Sequence, residues 1–455
     1  MMRGVPIRTH PVPGAGGMAL ENQGQRYGFK TFLLCALLAL GTGSRVASAE
    51  VATTTFPRLM GMNIGAKNYQ DADYQKELAR MDVVILGFYR GWQPAGYAPT
   101  ATLAMQKVVK ALKERNPKIL VGQYTILNEA YDDPYNAADQ DKRDKLYASK
   151  WWLLNAAGRK VQWTSQYRTW EVNLTTWSHA DANGERWPHW LAEREDAVFF
   201  REIPELDIVY LDGVGAPRVT ADWNLDGKND DRKDPGILSA HYAGHLAEWN
   251  RLRELAPRRL LIGNTDNDLA NPQWRGQLDG GFLEGQMGLS WSLETWAGWG
   301  KMMERYRAVL KNTRPPKIVG FNVQGSPMDY RFFRYAYASC LLDDGYFSFT
   351  DKSREYSSVP WFDEYDHKLG NALSRPPTKA WSQEVWRRDF QNGVVLVNPT
   401  SSAKTVKLEP GLRRLAGKQD PAINNGAAVG EVTLAPKDGV VLPRLAVKAT
   451  QESPR

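Results

Sequence analysis

The chain has 455 residues, of which 42% are hydrophobic and 24% are charged, a composition typical of a globular protein. Its formal net charge is +7, and it falls to +3 (53 basic and 50 acidic residues) when residues 1–49 are left out. This near balance, without any run of basic residues, argues against a nucleic-acid partner.

The first 49 residues have the pattern of an export signal. Arg26 and Lys30 precede the apolar run 31–40, and Ala47-Ser48-Ala49 provides the small residues of a cleavage site. An apolar run of about ten residues is too short to span a bilayer. We therefore expect export through the general secretory route to the periplasm or the medium, without a membrane partner after cleavage. A retained membrane anchor is the alternative.

From residue 57 to residue 350, short apolar runs alternate with amphipathic stretches typical of helices. Helices are predicted over 100–115, 239–256 and 293–312, and prolines follow each of them. The alternation predicts an α/β protein, a (β/α)₈ TIM barrel over residues 50–377. The eight predicted strands are 57–64, 82–89, 118–126, 206–213, 259–264, 280–285, 317–324 and 345–350.

The long stretch 127–205 between the third and fourth of these strands is interpreted as an insertion that covers the barrel mouth. It contains a further strand-like run at 170–174, which we expect to lie outside the barrel sheet. Sugar rings have flat apolar faces that stack on indole rings, so we expect tryptophans of the insertion to line sugar subsites. These tryptophans are Trp151, Trp152, Trp163, Trp170, Trp177, Trp187 and Trp190.

The pattern changes at about residue 378. Short β-like runs at 394–399, 405–408, 432–434 and 439–442 are separated by turn residues. They predict a C-terminal antiparallel β-sandwich over 378–445 that packs on the barrel. Residues 446–455 are predicted to be a disordered tail.

Two of the predicted strands end in a single carboxylate followed by glycine. Ile208–Gly213 ends with Asp212, and Gly280–Gly285 ends with Glu284. The carboxyl ends of parallel barrel strands meet at one mouth, where barrel enzymes carry their chemistry. A pair of carboxylates is the basic requirement for cleaving a glycosidic bond. We therefore predict Asp212 as nucleophile and Glu284 as proton donor, with helix capping as the competing interpretation.

Polar residues at the other strand ends are predicted to bind substrate hydroxyls around the same cavity. Two of these residues, Glu129 and Asp351, are also reserve candidates for the catalytic carboxylates. The predicted substrate-binding residues are Asn63, Tyr89, Arg90, Tyr124, Glu129, Asn264, Gln324 and Asp351.

One acidic loop has the spacing of the first half of a calcium-binding loop, with Gly227 at its sixth position. The residue at position 12 is Lys233, so the usual bidentate acid is displaced, and a solvated acidic loop is the alternative. The predicted ligands of this structural calcium are Asp222, Asn224, Asp226, Lys228 and Asp230. No cofactor is expected to be required for the reaction.

His241 and His245 have the i, i+4 spacing of zinc ligands, but Tyr242 stands where a zinc hydrolase would carry its glutamate. Their helix is also predicted to lie outside the barrel, so a zinc site is not expected. The sequence has no G-x-S-x-G motif, no P-loop and no dinucleotide-binding glycine pattern, which argues against an esterase, a kinase and a dehydrogenase.

Five segments together resemble the bacterial hypothetical glycoside hydrolase family 15, which is related to α-galactosidase-like and polygalactosaminidase-like barrels. They are Leu59–Asn63, Trp151–Gly158, Ile208–Gly213, Phe282–Gly285 and Asn392–Pro399. The resemblance covers most of residues 55–445 and implies catalytic carboxylates after the fourth and sixth barrel strands, here Asp212 and Glu284. It also implies a retaining mechanism on α-linked sugars. The relatives commonly have further acids beyond the fourth strand, whereas Val214-Gly215-Ala216-Pro217 follows here.

These features predict an exported, monomeric glycoside hydrolase that cleaves a poly- or oligosaccharide. A non-catalytic carbohydrate-binding protein that handles exopolysaccharide is the rival from another class. A metal-dependent deacetylase would need a His/Asp cluster at the mouth, where the sequence has none. The distance between the two carboxyl groups discriminates between hydrolysis and binding alone, since hydrolysis requires about 5–9.5 Å.

Overall fold

The computed structural model describes residues 55–65, 68–93, 100–265 and 273–444. The predicted signal segment, residues 1–49, and the predicted tail, residues 446–455, lie outside these ranges. Within them, no helix combines the length and the apolar character that crossing a membrane requires.

The secondary-structure elements are named in chain order. The strands are β1 (Met60–Asn63), β2 (Val83–Leu86), β3 (Leu120–Ile126), β4 (Glu129–Tyr131), β5 (Thr169–Glu171), β6 (Ile208–Val214), β7 (Leu260–Thr265), β8 (Gly280–Leu283), β9 (Ile318–Gly325), β10 (Tyr346–Asp351), β11 (Trp386–Phe390), β12 (Gly393–Asn398), β13 (Lys404–Lys407), β14 (Glu431–Leu434) and β15 (Asp438–Pro443). The helices are α1 (Ala72–Leu78), α2 (Ala101–Arg115), α3 (Gln140–Ala148), α4 (Trp187–Glu195, continued by a π-helical turn at Asp196–Phe200), α5 (Pro235–Leu255), α6 (Leu293–Ala297), α7 (Trp299–Asn312), α8 (Tyr330–Leu341) and α9 (Asp363–Asp366).

Eight parallel strands form the barrel, in the order β1, β2, β3, β6, β7, β8, β9 and β10. The barrel closes where Leu59, just before β1, pairs in parallel with Phe347 of β10. The ends of all eight strands lie within three residues of their predicted positions. The predicted (β/α)₈ barrel is confirmed.

Side chains of the barrel strands alternate between the interior and the surrounding helices. Val84, Val209 and Val319 belong to the outer core that packs on the helices. Because both faces are buried, these strands are continuous apolar runs rather than alternating ones. The interior is filled by Met60, Met62, Val83, Ile85, Ile208, Tyr210, Ile262, Phe282, Ile318 and Tyr346.

Two predicted helices differ from the structure at their ends. The side chain of Asp234 accepts hydrogen bonds from the backbone N–H groups of Gly236 and Ile237, so α5 begins four residues before its predicted start. The prediction of one helix over 293–312 is wrong, because two helices, α6 and α7, occupy this range. They are separated at Gly298, whose φ of +88° interrupts the helical backbone.

The further strand in the insertion lies outside the barrel sheet, as expected. It is β5, and it pairs only with β4, with Glu129 opposite Glu171 in an antiparallel register. This two-stranded ribbon places the carboxylates of Glu129 and Glu171 next to each other. Both belong to the candidate site described below.

The tryptophans of the insertion do not share one role. Trp151 and Trp187 are fully buried in a separate apolar core of the insertion, so the prediction that they line sugar subsites is wrong. Trp163 and Trp177 are exposed, at 43% and 41%. The buried pair stabilises the insertion, and a sugar contact by the exposed or half-buried tryptophans stays a prediction.

The C-terminal strands form two antiparallel sheets, β11-β12-β15 and β13-β14. Val394, Leu396, Val406 and Val432 belong to one core shared by the two sheets, which is the arrangement of the predicted sandwich. The opposite face of β12 packs toward the barrel, and its Val395 belongs to the outer barrel core. The predicted sandwich is confirmed, while the boundary at residue 378 stays a prediction, since no division at that point separates the described residues into two compact units.

Gly280 at the start of β8 leads to a testable prediction about stability. A Cβ at this position would lie 2.0 Å from the backbone oxygen of Ile318 on the paired strand β9. Because β9 is held in the barrel by pairing on both sides, we expect Gly280→Ala to lower the free energy of unfolding by about 3 kcal/mol. Denaturation in urea measures this change.

Gly300 in α7 provides the matched control. A Cβ there meets no atom within 4 Å, so Gly300→Ala is expected to be neutral or to stabilise by at most about 1 kcal/mol. Equal unfolding midpoints for Gly280→Ala and the wild type would contradict the close approach of β8 and β9.

Candidate active site

The polar residues at the carboxyl end of the barrel continue the alternation of its strands. Tyr124 of β3, Asp212 of β6, Asn264 of β7 and Gln324 of β9 each lie an even number of positions after an interior residue of the same strand. These interior residues are Leu120, Tyr210, Ile262 and Ile318. Glu284 directly follows β8, two residues after the interior Phe282. The alternation therefore directs these five side chains toward one mouth.

The backbone explains why glycine follows each carboxylate. Gly213 and Gly285 have φ values of +66° and +54°, a conformation in which side chains other than hydrogen are strained. The pairing between β6 and β7 also shifts register between Leu211 and Val214, as in a β-bulge. These turns end the regular strand and leave Asp212 and Glu284 only half-buried.

A single amide links the two carboxylates. Asn264 Nδ2 donates to Asp212 Oδ1 and to Glu284 Oε2, at 2.9 Å in each case. Two oxygens at 2.9 Å from the same nitrogen lie at most about 5.8 Å apart, twice that distance. The structure therefore brings together the two acids, which are separated by 72 positions in the sequence.

Three donors converge on Asp212. Tyr124 donates its hydroxyl proton to Oδ2 at 2.5 Å, and the Gly213 N–H and Asn264 Nδ2 donate to Oδ1 at 2.8 and 2.9 Å. Hydrogen bonds at both oxygens hold the Asp212 carboxylate in one orientation.

Glu284 is held by Asn264 and by a residue that the sequence did not reveal. Tyr356, in the loop after β10, donates its hydroxyl proton to Glu284 Oε1. Gln324 in turn donates to the Tyr356 hydroxyl at 3.1 Å. Tyr356 has no local signal that distinguishes it from other loop tyrosines, so only the fold identifies it.

The tyrosines beside the carboxylates remain protonated. Burial, followed by the nearby Asp212 carboxylate, raises the pKa of Tyr124 well above its usual range. Burial and then the Glu284 carboxylate likewise raise the pKa of Tyr356. Both phenols therefore act as hydrogen-bond donors rather than as anions at neutral pH.

A pocket of about 430 Å³ opens beside Glu284. Three arginines and two tryptophans form much of its wall, and we call it the arginine pocket. Its floor includes Gly285, where a Cβ would lie 2.4 Å from the ring of Trp291. The indole therefore packs directly on the backbone after Glu284. The defining residues of the arginine pocket are Arg218, Arg232, Arg305, Trp291, Trp296 and Glu284.

Glu129 is part of an ion-pair cluster at the edge of this pocket. Arg218 Nη2 lies 2.8 Å from Glu129 and 2.8 Å from Glu171, and Trp163 Nε1 donates to Glu129 at 2.7 Å. Burial raises the pKa of Glu171 to about 7, and the Arg218 charge opposes that rise. With its carboxylate paired and almost fully buried, Glu129 is not available as a reserve catalytic acid.

Two predicted substrate-binding residues do not reach the mouth. Asn63 is 0% exposed, and its side-chain oxygen accepts a hydrogen bond from Tyr74 of α1. Asp351 accepts hydrogen bonds from Ser353 and lines a different cavity. Each occupies the outward position of its strand, because β1 and β10 direct Met62 and Tyr346 to the interior. Their predicted role is therefore wrong.

Tyr89 and Arg90 follow β2 at the same end of the barrel. Tyr89 is 42% exposed, and Arg90 Nε lies 3.9 Å from Asp141 of α3. Arg90 thus connects the barrel to the insertion, and a substrate contact by either residue stays a prediction.

The family of the chain follows from its sequence. The family model of hypothetical glycosyl hydrolase family 15 matches residues 113–394, a range that contains Asp212, Asn264, Glu284 and Tyr356. The chain belongs to this family. The resemblance noted from the sequence is thereby confirmed, and the protein is a glycosidase by family. No curated protein matches the chain by sequence.

Several solved structures of glycoside hydrolases are similar to this chain at low sequence identity. An alpha-amylase of Anoxybacillus is 11% identical, with 85% of this chain and 98% of that chain covered and a TM-score of 0.45. The glycoside hydrolase domain of PelA from Pseudomonas aeruginosa is 14% identical, with 67% and 98% covered and a TM-score of 0.40. The GH36 alpha-galactosidase AgaA from Geobacillus stearothermophilus is 11% identical, with 86% and 56% covered and a TM-score of 0.43.

In the acidic loop predicted to bind calcium, side-chain oxygens accept hydrogen bonds from N–H groups of the loop itself. Asp222 accepts from the N–H groups of Asp226 and Gly227 at 3.0 Å, and Asp230 accepts from the Trp223 N–H at 2.9 Å. Among the described residues, which include this loop, no group of three or more His, Cys, Asp or Glu side chains is arranged to hold a metal ion. The calcium site stays a prediction.

The histidine pair of α5 lies in the protein interior. His241 and His245 are fully buried among aromatic rings, with Trp223 at 5.4 Å and Trp274 at 5.3 Å between centroids. Burial lowers the pKa of both imidazoles, to about 3 for His245, so they remain neutral. They pack against these rings as neutral side chains.

Proposed function

We propose that the protein hydrolyses an O-glycosidic bond of a poly- or oligosaccharide by a retaining mechanism, with Asp212 as nucleophile and Glu284 as acid and base. The observation that carries this proposal is the amide of Asn264, which holds an oxygen of each carboxylate at 2.9 Å. Membership of a glycosyl hydrolase family supports the class of reaction.

In the first step, Asp212 attacks the anomeric carbon while Glu284 gives its proton to the departing oxygen. The bond between the anomeric carbon and that oxygen breaks, and an ester bond to Asp212 forms. The donors from Tyr124 and Gly213 hold the attacking carboxylate in one orientation, so little freedom is lost on reaching the transition state.

In the second step, water attacks the glycosyl ester. Glu284, now deprotonated, takes a proton from this water, and Asp212 leaves as a carboxylate. Tyr356 and Asn264 contact the two oxygens of Glu284 and keep it in position for both proton transfers. Two inversions at the anomeric carbon give net retention.

The short distance between the acids favours this mechanism over its alternatives. Retaining enzymes separate their carboxyl groups by about 5–5.5 Å, whereas inverting enzymes need about 6.5–9.5 Å to admit a water molecule. The two oxygens bound by Asn264 cannot be further apart than about 5.8 Å. A carbohydrate-binding protein without activity would not need two acids held so close together.

The reaction can be tested on a panel of polysaccharides. We expect purified protein without residues 1–49 to release new reducing ends from at least one member, with the product first appearing in the anomeric configuration of the substrate. Proton NMR during the first minutes records that configuration. Release of the opposite anomer would exclude Asp212 as a nucleophile.

Export is part of the same proposal. The Arg26–Lys30 region, the apolar run 31–40 and the Ala47-Ser48-Ala49 site support cleavage after residue 49. N-terminal sequencing of the protein recovered from the periplasm or the medium of an expressing cell tests the cleavage site.

Asn264 is predicted to position the carboxyl groups of Asp212 and Glu284 for the reaction. Replacing it with alanine removes the donor that contacts one oxygen of each carboxyl group, so the two groups lose the link that fixes their separation. We expect Asn264→Ala to lower kcat by about 10- to 100-fold, with a smaller change in KM, as steady-state kinetics would show. Asn183→Ala, at an exposed position of the insertion, is the control and should retain activity. Unchanged kcat in Asn264→Ala would contradict the bridging role.

A further inference from the structure

The arginine pocket lies on one side of the catalytic pair. Glu284 lines it, whereas Asp212 does not. In the proposed mechanism the proton donor faces the leaving group, so a sugar in this pocket is the one released first. This assignment rests on the proposed function.

The wall of the pocket is rich in guanidinium groups. Arg232 is exposed, donates to the backbone oxygen of Arg218 at 3.3 Å, and forms no ion pair with any residue that the structure describes. Arg305 donates to the backbone oxygen of Thr265 at 3.3 Å. Guanidinium groups present planar forks of N–H donors that match carboxylate and sulfate oxygens.

Arg218 is not available to a bound anion, because two carboxylates already hold it. Its partners, Glu129 and Glu171, face each other on the β4-β5 ribbon and each lies 2.8 Å from Arg218 Nη2. Among the described arginines of the pocket, Arg232 is the exposed one that forms no ion pair with a described residue. The positive charge that an anion can meet is therefore that of Arg232.

Two exposed indole rings also line the pocket. Trp291 and Trp296 are 56% and 69% exposed, and Trp296 Nε1 donates to the backbone oxygen of Trp291 at 3.2 Å. The ring of Trp291 also packs on Gly285 and is thereby fixed beside Glu284. A pocket lined by both indole rings and guanidinium groups fits a sugar ring that carries an anionic substituent.

The chain that leaves the fourth barrel strand, β6, also favours an anionic ligand. Val214, the last residue of β6, and Gly215-Ala216-Pro217 after it include no acid, and the next residue is Arg218. Ala216, Pro217 and Arg218 all line the arginine pocket. The absence of acids from this segment removes charges that would repel an anion from the pocket.

We propose that the arginine pocket is a leaving-group subsite for an anionic sugar, one that carries a carboxylate or a sulfate, and that the substrate is an acidic polysaccharide. The anionic group contacts Arg232, and the sugar ring stacks on Trp291. This assignment names the substrate class for the site built around Glu284.

Binding to an inactive variant tests the proposal apart from turnover. Asp212→Asn protein is titrated calorimetrically with oligosaccharides of galacturonate, mannuronate and glucuronate, each paired with its carboxyl-reduced form, and with sulfated oligosaccharides paired with their desulfated forms. We expect at least one acidic member to bind about tenfold or more tightly than its neutral counterpart, the effect of one charge-assisted hydrogen bond. The uronate and sulfate pairs distinguish the two sources of charge.

Two arginine variants test whether the preference for acidic ligands arises in the arginine pocket. Arg232→Gln, made in the Asp212→Asn background, should reduce the preference for the acidic member to about threefold or less. Arg258→Gln, an exposed site just before β7 at the opposite end of the barrel, should leave the preference unchanged. Equal binding of all acidic and neutral partners, or equal effects of the two variants, would overturn the proposal.

The proposal and the underlying reaction can fail separately. Cleavage of neutral polysaccharides by the wild type, without any preference of the Asp212→Asn variant for acidic ligands, would remove the anionic subsite and leave the hydrolase intact. Preferential binding of an acidic ligand through Arg232, with no reducing ends released by the wild type from the same ligand or its polymer, would retain the subsite and remove the proposed hydrolysis.

Discussion

Asp212→Asn should lower kcat by at least about 10⁴-fold, the scale of loss when a covalent nucleophile is removed. The amide has nearly the shape of the carboxylate and can keep contacts with Tyr124 and Asn264, so the fold should survive. It lacks the negative charge that attacks the anomeric carbon. Initial rates on the substrate found in the polysaccharide panel measure the loss, and circular dichroism confirms folding.

Asp73→Asn is the matched control, because Asp73 lies at the surface on α1 in an exposed ion pair with Lys76. It should retain wild-type activity. A second variant, Asp212→Gly, leaves room for azide, which we expect to restore bond cleavage and to yield a glycosyl azide of inverted configuration. Near-wild-type turnover by a folded Asp212→Asn protein would remove this residue from the mechanism.

Glu284→Gln should produce a loss that depends on the leaving group. A sugar alcohol needs a proton to depart, so we expect its release to slow by about 10²- to 10⁴-fold. A dinitrophenyl glycoside of an accepted sugar has a leaving group that departs without protonation. For that substrate we expect a burst of about one equivalent of dinitrophenolate, because the intermediate forms but lacks a base for its hydrolysis.

Stopped-flow absorbance measures the burst, and Glu304→Gln on the exposed face of α7 is the matched control. Equal losses on the natural and the dinitrophenyl substrates would argue against Glu284 as proton donor. The Asp212→Asn variant, by contrast, should show no burst with either substrate, because it cannot form the intermediate. The two variants therefore distinguish the nucleophile from the acid and base.

The site residues that could be predicted from the sequence share one property. Tyr124, Asp212, Asn264, Glu284 and Gln324 each stand at or near the end of a mainly apolar run. Burial of both faces of a parallel barrel produces such runs, and the barrel topology brings their carboxyl ends to one mouth. The predictions for Asn63 and Asp351 are wrong by one position along the strand. Successive side chains of a strand point to opposite faces, so both side chains point away from the barrel mouth.

The sequence by itself determined the (β/α)₈ barrel, the C-terminal sandwich and the pairing of two acids at the barrel mouth, because local hydrophobic patterns specify these features. Only the tertiary structure decided that Tyr356 contacts Glu284, that Arg218 joins Glu129 to Glu171, and that Trp291 packs on Gly285. The contacts of Tyr356 and Arg218 join residues 40 to 90 positions apart in the chain, and Trp291 folds back on a glycine six positions earlier. Their positions follow from how the elements pack, and no local pattern of residues encodes that.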